Sequence, residues 1–90
     1  MKTIKILIIG TVQGLFFRKF ADEEAKKIGV KGFVRNLDDG SVEIVIEGEN
    51  KKVDEMLKVC KQGPPYAKIR DVKVTDINHQ GFDSFKILDL

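Results

Sequence analysis

Apolar and polar positions change period along this chain, and each change marks an element. Residues 3–9 (TIKILII) begin by alternating and end as a β-branched run, the pattern of a strand buried on at least one face. Beyond a stretch bounded by Gly10 and Gly14, the period lengthens. Phe17, Phe20, Ala21, Ala25 and Ile28 recur at helical spacing, with Asp22, Glu23, Glu24, Lys26 and Lys27 between them and Gly29 at the stop. Alternation returns in 31–37 (KGFVRNL) and 41–47 (SVEIVIE), which flank Asp38-Asp39-Gly40, a strong hairpin signal. Val42, Ile44 and Ile46 share one face of the second strand. Glu43 and Glu47 share the other, about 13 Å apart at strand rise, and read as a solvated face.

A second helical stripe follows, Val53, Met56, Leu57 and Cys60, with Asn50 as its expected cap and Gly63-Pro64-Pro65 as its stop. Residues 69–77 (IRDVKVTDI) alternate as a further strand, and 82–88 can add a short terminal one. The order β-α-β-β-α-β predicts an α+β sandwich, the ferredoxin-like split β-α-β fold, with an antiparallel sheet and both helices on one face. In that topology strands 1 and 2 run parallel with strand 3 between them. Their C-terminal ends therefore share one sheet edge, which gathers the Gly10–Gly14 loop, the start of helix 1 and Asn36.

Composition narrows the function classes. Ninety residues suit one domain, and 42% hydrophobic content is enough for a core. Sixteen Lys and Arg against fourteen Asp and Glu leave +2, too balanced for a dedicated nucleic-acid or membrane binder. No apolar run approaches a membrane span or a signal peptide. The lone Cys60 cannot close an intrachain disulfide, which fits a reducing, cytosolic setting, and it reads as a core residue. One His and one Cys far apart make no ordinary zinc constellation. His79 lies in the polar run 76–81 and reads as a surface loop residue.

The candidate chemistry lies at the first loop. A helix N-terminus directs unpaired N–H groups and a partial positive charge outward. Glycines at the loop's two ends let successive amides converge into a nest. Arg18, in the first helical turn, has its Cβ tilted back toward that N-terminus, so its guanidinium can grip a phosphate or carboxylate there. No Gly-Lys-Ser/Thr follows, so this is not a Walker A loop. On pattern alone a second reading stands beside the anion site: the glycines only turn the chain, and Arg18 pairs with Asp22 at i+4. Asn36 shares a face with Val34, so at the rim its polar side chain needs a partner, although turn chemistry also favours Asn there.

Gly10-Thr11-Val12-Gln13-Gly14-Leu15-Phe16-Phe17-Arg18 resembles the G-x-V-Q-G-V-x-F-R signature of acylphosphatases. The block from Gly29 through Gly32, Val34, Asn36, Asp39, Gly40, Ser41 and Val42 to Glu43 is similar to that family's G-x-x-G-x-V-x-N-x-x-D-G-S-V-E. The likeness covers nearly the whole chain, so residues 1–90 are expected to form a single acylphosphatase-like domain. Leu15 replaces the usual Val, and Phe33 stands where Trp is common.

The resemblance implies hydrolysis of the carboxyl–phosphate bond of a small acyl phosphate, without metal or organic cofactor. The chain is expected to be cytoplasmic and monomeric, with no nucleic-acid or membrane partner. Carried over, Arg18 would bind phosphate and Asn36 would position the attacking water. Amides around Val12, Gln13, Gly14, Leu15 and Phe16 would form the phosphate cradle. Gln13 has no role beyond that which the sequence assigns. Two rival expectations remain: an RNA-binding module, because Lys31-Gly32-Phe33-Val34 echoes the start of an RNP1 segment, and a small-ligand regulatory module without hydrolase activity.

Overall fold

The computed structural model describes residues 1–13 and 15–88, Leu15 by its backbone only. The elements are β1 (Lys2–Thr11), α1 (Leu15–Ile28), β2 (Lys31–Asn36), β3 (Val42–Gly48), α2 (Asn50–Gln62), β4 (Lys68–Asp76) and β5 (Phe85–Leu88). The strands form one sheet in the order β4-β1-β3-β2-β5. β3 lies antiparallel between β1 and β2, so those two are parallel and end on one edge. The split β-α-β arrangement is the one the alternating pattern predicts.

The sheet is mixed rather than wholly antiparallel. β5 pairs parallel with β2, Gly32 opposite Phe85 and Arg35 opposite Leu88, and so extends the four-stranded sheet on that side. A terminal strand was legible, but its partner and direction depend on where the loop before it runs.

Alternation decides which faces meet. Ile4, Ile6, Ile8, Val34, Val42, Ile44 and Ile46 point to the helices and are buried. Phe17, Ala21 and Ala25 of α1 and Val53, Met56 and Cys60 of α2 close the same core, with Phe20 and Leu57 at its margin. Phe17 and Phe20 meet edge to face, 6.1 Å between centroids. α1 lies over β2 and β5, and α2 over β1, β3 and β4. Burial raises the Cys60 thiol to about 12, with the Glu24 charge adding to the shift, so it is an inert core residue. No helix among the described residues is long and apolar enough to cross a membrane.

Two local expectations are corrected. Asn50 does not cap α2: it is the first helical residue, and the cap position falls on Glu49, which makes no side-chain capping bond. The larger correction concerns Glu47, expected on a solvated face. It is only 2% exposed, because the chain segment after β4 folds over it. Its carboxylate accepts the Thr3 hydroxyl at 2.7 Å and the backbone N–H groups of Gln80, Gly81 and Phe82 at 2.6, 2.9 and 3.1 Å. His79, exposed as expected, sets Nδ1 3.3 Å from the same carboxylate. Burial pushes the Glu47 carboxyl up, but the Gln80 amide, the Thr3 hydroxyl and the Phe82 and Gly81 amides together hold it at about 2. Glu43, on the same face, pairs with Arg35 at 2.8 Å.

Candidate active site

The C-terminal ends of β1 and β2 carry the candidate residues. β1 ends in an irregularity: its register against β4 shifts between Ile9 and Gly10. Gly10 has φ +146°, and a Cβ there would stand 2.1 Å from the Lys68 carbonyl oxygen. Only glycine lets β4 approach so closely while the chain turns out of the sheet. Val12 then returns to the core, fully buried, and Phe17 is buried in the first turn of α1. The intervening loop is thus strung between two core anchors. Gly14, expected to shape its far end, lies outside the described residues.

α1 begins at Leu15 with no acidic residue in its first turn, so no side-chain charge of its own neutralises its N-terminal dipole there. Phe16, 43% exposed, lies beside that N-terminus. Arg18 is half-buried with its Nε buried, one turn behind the loop. The carboxylate of Asp22, the alternative partner that i+4 spacing suggests for Arg18, takes the Lys26 ammonium at 3.1 Å.

Asn36 ends β2 opposite Val42, and Val42 is also opposite Ile8 of β1. At ordinary strand spacing this puts Asn36 about 10 Å across the sheet from Ile8, two residues before the loop begins. Asn36 shares the helix-facing side with Val34. Its Oδ1 is buried and has no hydrogen-bond partner among the described residues. Buried acceptors are normally satisfied by protein groups or by ordered water.

Gln13, which sequence reasoning could not place, bridges the two pieces. Its Nε2 donates to the Leu37 carbonyl at 2.5 Å and to the Ser41 carbonyl at 3.1 Å. These carbonyls frame the β2–β3 turn, where Leu37 N–H donates to Ser41 and Gly40 N–H to Leu37. Asp39 closes the same turn by accepting the Ser41 hydroxyl and amide, which hold its carboxyl below the ordinary value. A side chain that joins residues 24 and 28 positions apart leaves no local signal in the sequence.

The loop, the start of α1 with Arg18 in its first turn, and Asn36 at the end of β2 thus lie at one end of a split β-α-β scaffold. The model of the acylphosphatase family matches residues 4–87. An acylphosphatase of Methanocella arvoryzae is 39% identical over 87 residues, covering 97% of this chain and 99% of that one. One from Rubrobacter xylanophilus is 47% identical over 75 residues, 83% of this chain and 68% of that one. The crystal structure of acylphosphatase from Bacillus subtilis superposes with a TM-score of 0.93 at 37% identity, covering 99% and 100% of the two chains. The chain belongs to the acylphosphatase family, a family of hydrolases. Neither the RNA-binding nor the regulatory reading is favoured by these relatives.

Proposed function

We propose that residues 1–90 form a single domain that hydrolyses small acyl phosphates to carboxylate and inorganic phosphate, in the cytoplasm, as a monomer and without a cofactor. Backbone amides of Val12, Gln13, Gly14, Leu15 and Phe16 cradle the phosphoryl oxygens, with the N-terminus of α1 behind them. The Arg18 guanidinium grips the same oxygens through its planar fork. Asn36 holds the water that attacks phosphorus. The carbonyl Oδ1 of Asn36 accepts a hydrogen bond from the water, which turns a lone pair of the water toward phosphorus.

The bond that forms joins the water oxygen to phosphorus, and the bond that breaks joins phosphorus to the acyl oxygen. The bonding pair leaves with the carboxylate, a stable anion that needs no general acid. The water proton passes to the phosphate product or to solvent, since an amide is too weak a base to keep it. Phosphoryl transfer asks a protein mainly for position and charge stabilisation, which amides, Arg18 and Asn36 can supply.

The observation that carries this reading is the buried Oδ1 of Asn36, which has no hydrogen-bond partner among the described residues and lies on the sheet edge where β1 and β2 end. A water that donates to this oxygen is the proposed nucleophile. The decisive assay compares a synthetic acyl phosphate with a phosphate monoester, each with and without excess chelator. Rapid turnover of the acyl phosphate alone, unchanged by chelator, is the expected result. Equal rates on both substrates, or loss of activity with chelator, would refute the mechanism, because the described residues of the site offer an alkoxide leaving group no acid.

A further inference from the structure

We infer that Gln13 is a positioning residue. It ties the cradle loop to the β2–β3 hairpin and so sets the distance between the held phosphoryl group and the water on Asn36. This rests on the hydrolase reading above. Both partners of the Gln13 amide nitrogen are carbonyl oxygens, Leu37 and Ser41. Only the nitrogen end can face them, and both its hydrogens are spent on the contact. A planar group held at two points has its orientation fixed as well as its distance.

Each end of this strut is anchored next to a working part. Gln13 follows Val12, fully buried in the core, and lies within the loop proposed above to cradle the phosphoryl group. Leu37 follows Asn36, and Ser41 precedes Val42, the residue opposite Asn36. Phosphorus and the attacking oxygen belong to these two separate pieces of chain. The reacting atoms must come within about 3–3.5 Å, and a displacement of about 1 Å can cost about 10²-fold in rate. Core anchors at Val12 and Phe17 hold the ends of the loop, and the Gln13 contacts tie the residue after Val12 to the hairpin.

The test measures kcat and KM on a synthetic acyl phosphate for Gln13→Leu and Gln13→Glu, each in the wild-type and Asn36→Ala backgrounds. Gln13→Leu keeps bulk but removes both donors. It is expected to lower kcat about 10- to 100-fold while KM changes less than about threefold. On Asn36→Ala, where no positioned water remains to be misplaced, the same change should cost less than about threefold. Gln13→Glu cannot donate and sets a charge against two carbonyls, so it should be at least as slow.

Wild-type kcat in Gln13→Leu, or equal losses in both backgrounds, overturns the inference. So does solvent-like exchange of the Gln13 side-chain NH₂ protons in the ligand-free protein, a readout that needs no turnover and no variant. A wild-type chain that hydrolyses no acyl phosphate overturns the hydrolase reading and this inference with it. Turnover combined with additive losses overturns the inference alone.

Discussion

The two ends of the central strand β3 treat buried polar groups in opposite ways. At its far end, Glu47 is enclosed, and its two oxygens collect a hydroxyl, three backbone amides and the edge of an imidazole. At its near end, opposite Val42, Asn36 keeps a buried oxygen with no hydrogen-bond partner among the described residues. A saturated polar group can only hold the structure together, because any new ligand must displace a bond already made. An unsaturated one costs stability until something binds, and that is the condition of a site. The two ends of one strand thus differ in whether the buried oxygen finds its partners among the described residues.

The comparison can be tested by deletion at each end. The largest effect is expected at the near end, from Arg18→Ala. Loss of a donor to developing phosphoryl charge should lower kcat/KM by at least about 10²–10³. Arg18→Lys should recover little of it, because a point charge lacks the fork. Steady-state kinetics on an acyl phosphate decides both, and wild-type turnover in either variant would end the assignment of Arg18.

Asn36→Ala should lower kcat about 10²-fold while KM stays near wild type. Its thermal midpoint is the sharper reading. Deleting an acceptor that has no partner among the described residues should leave Tm unchanged or raised, and a fall of many degrees would mean that Asn36 is structural after all.

Glu47→Gln, at the far end, should leave kcat at 25 °C unchanged and lower Tm by several degrees at neutral pH, since the amide cannot accept what the carboxylate accepted. The Glu47 carboxyl lies at about 2, below its ordinary 4.5. Its stabilisation is therefore complete above the ordinary value and is lost as pH falls toward 2. The Tm gap between wild type and variant should close over that acid window. A gap that is constant with pH would show that the ionised form contributes nothing.

Legibility followed the distance over which each feature is determined. Alternation in 3–9 and 41–47 and the helical stripe from Phe17 to Ile28 are local patterns, and the elements formed where they predicted. Arg18 and Asn36 were legible as candidates because helix geometry and strand parity say where their side chains must point. Glu47 was misread for the opposite reason. The groups that bury it are backbone amides of residues 80–82, and an amide has no letter in the sequence. The parallel course of β5 and the grip of Gln13 on Leu37 and Ser41 likewise depend on what a distant segment does.

The span of the Gln13 contacts bears on how the protein comes to be active at all. Its bonds to Leu37 and Ser41 close chain loops of 24 and 28 residues. β3 must insert between β1 and β2 before the loop can meet the hairpin. Contacts of that reach form only once the entropy of closing the intervening chain has been overcome. An intermediate with both helices formed but β3 not yet inserted would therefore have no catalytic centre. If Gln13 acts as inferred, recovery of turnover during refolding would report when the loop meets the hairpin, which makes the enzyme a probe of its own sheet assembly.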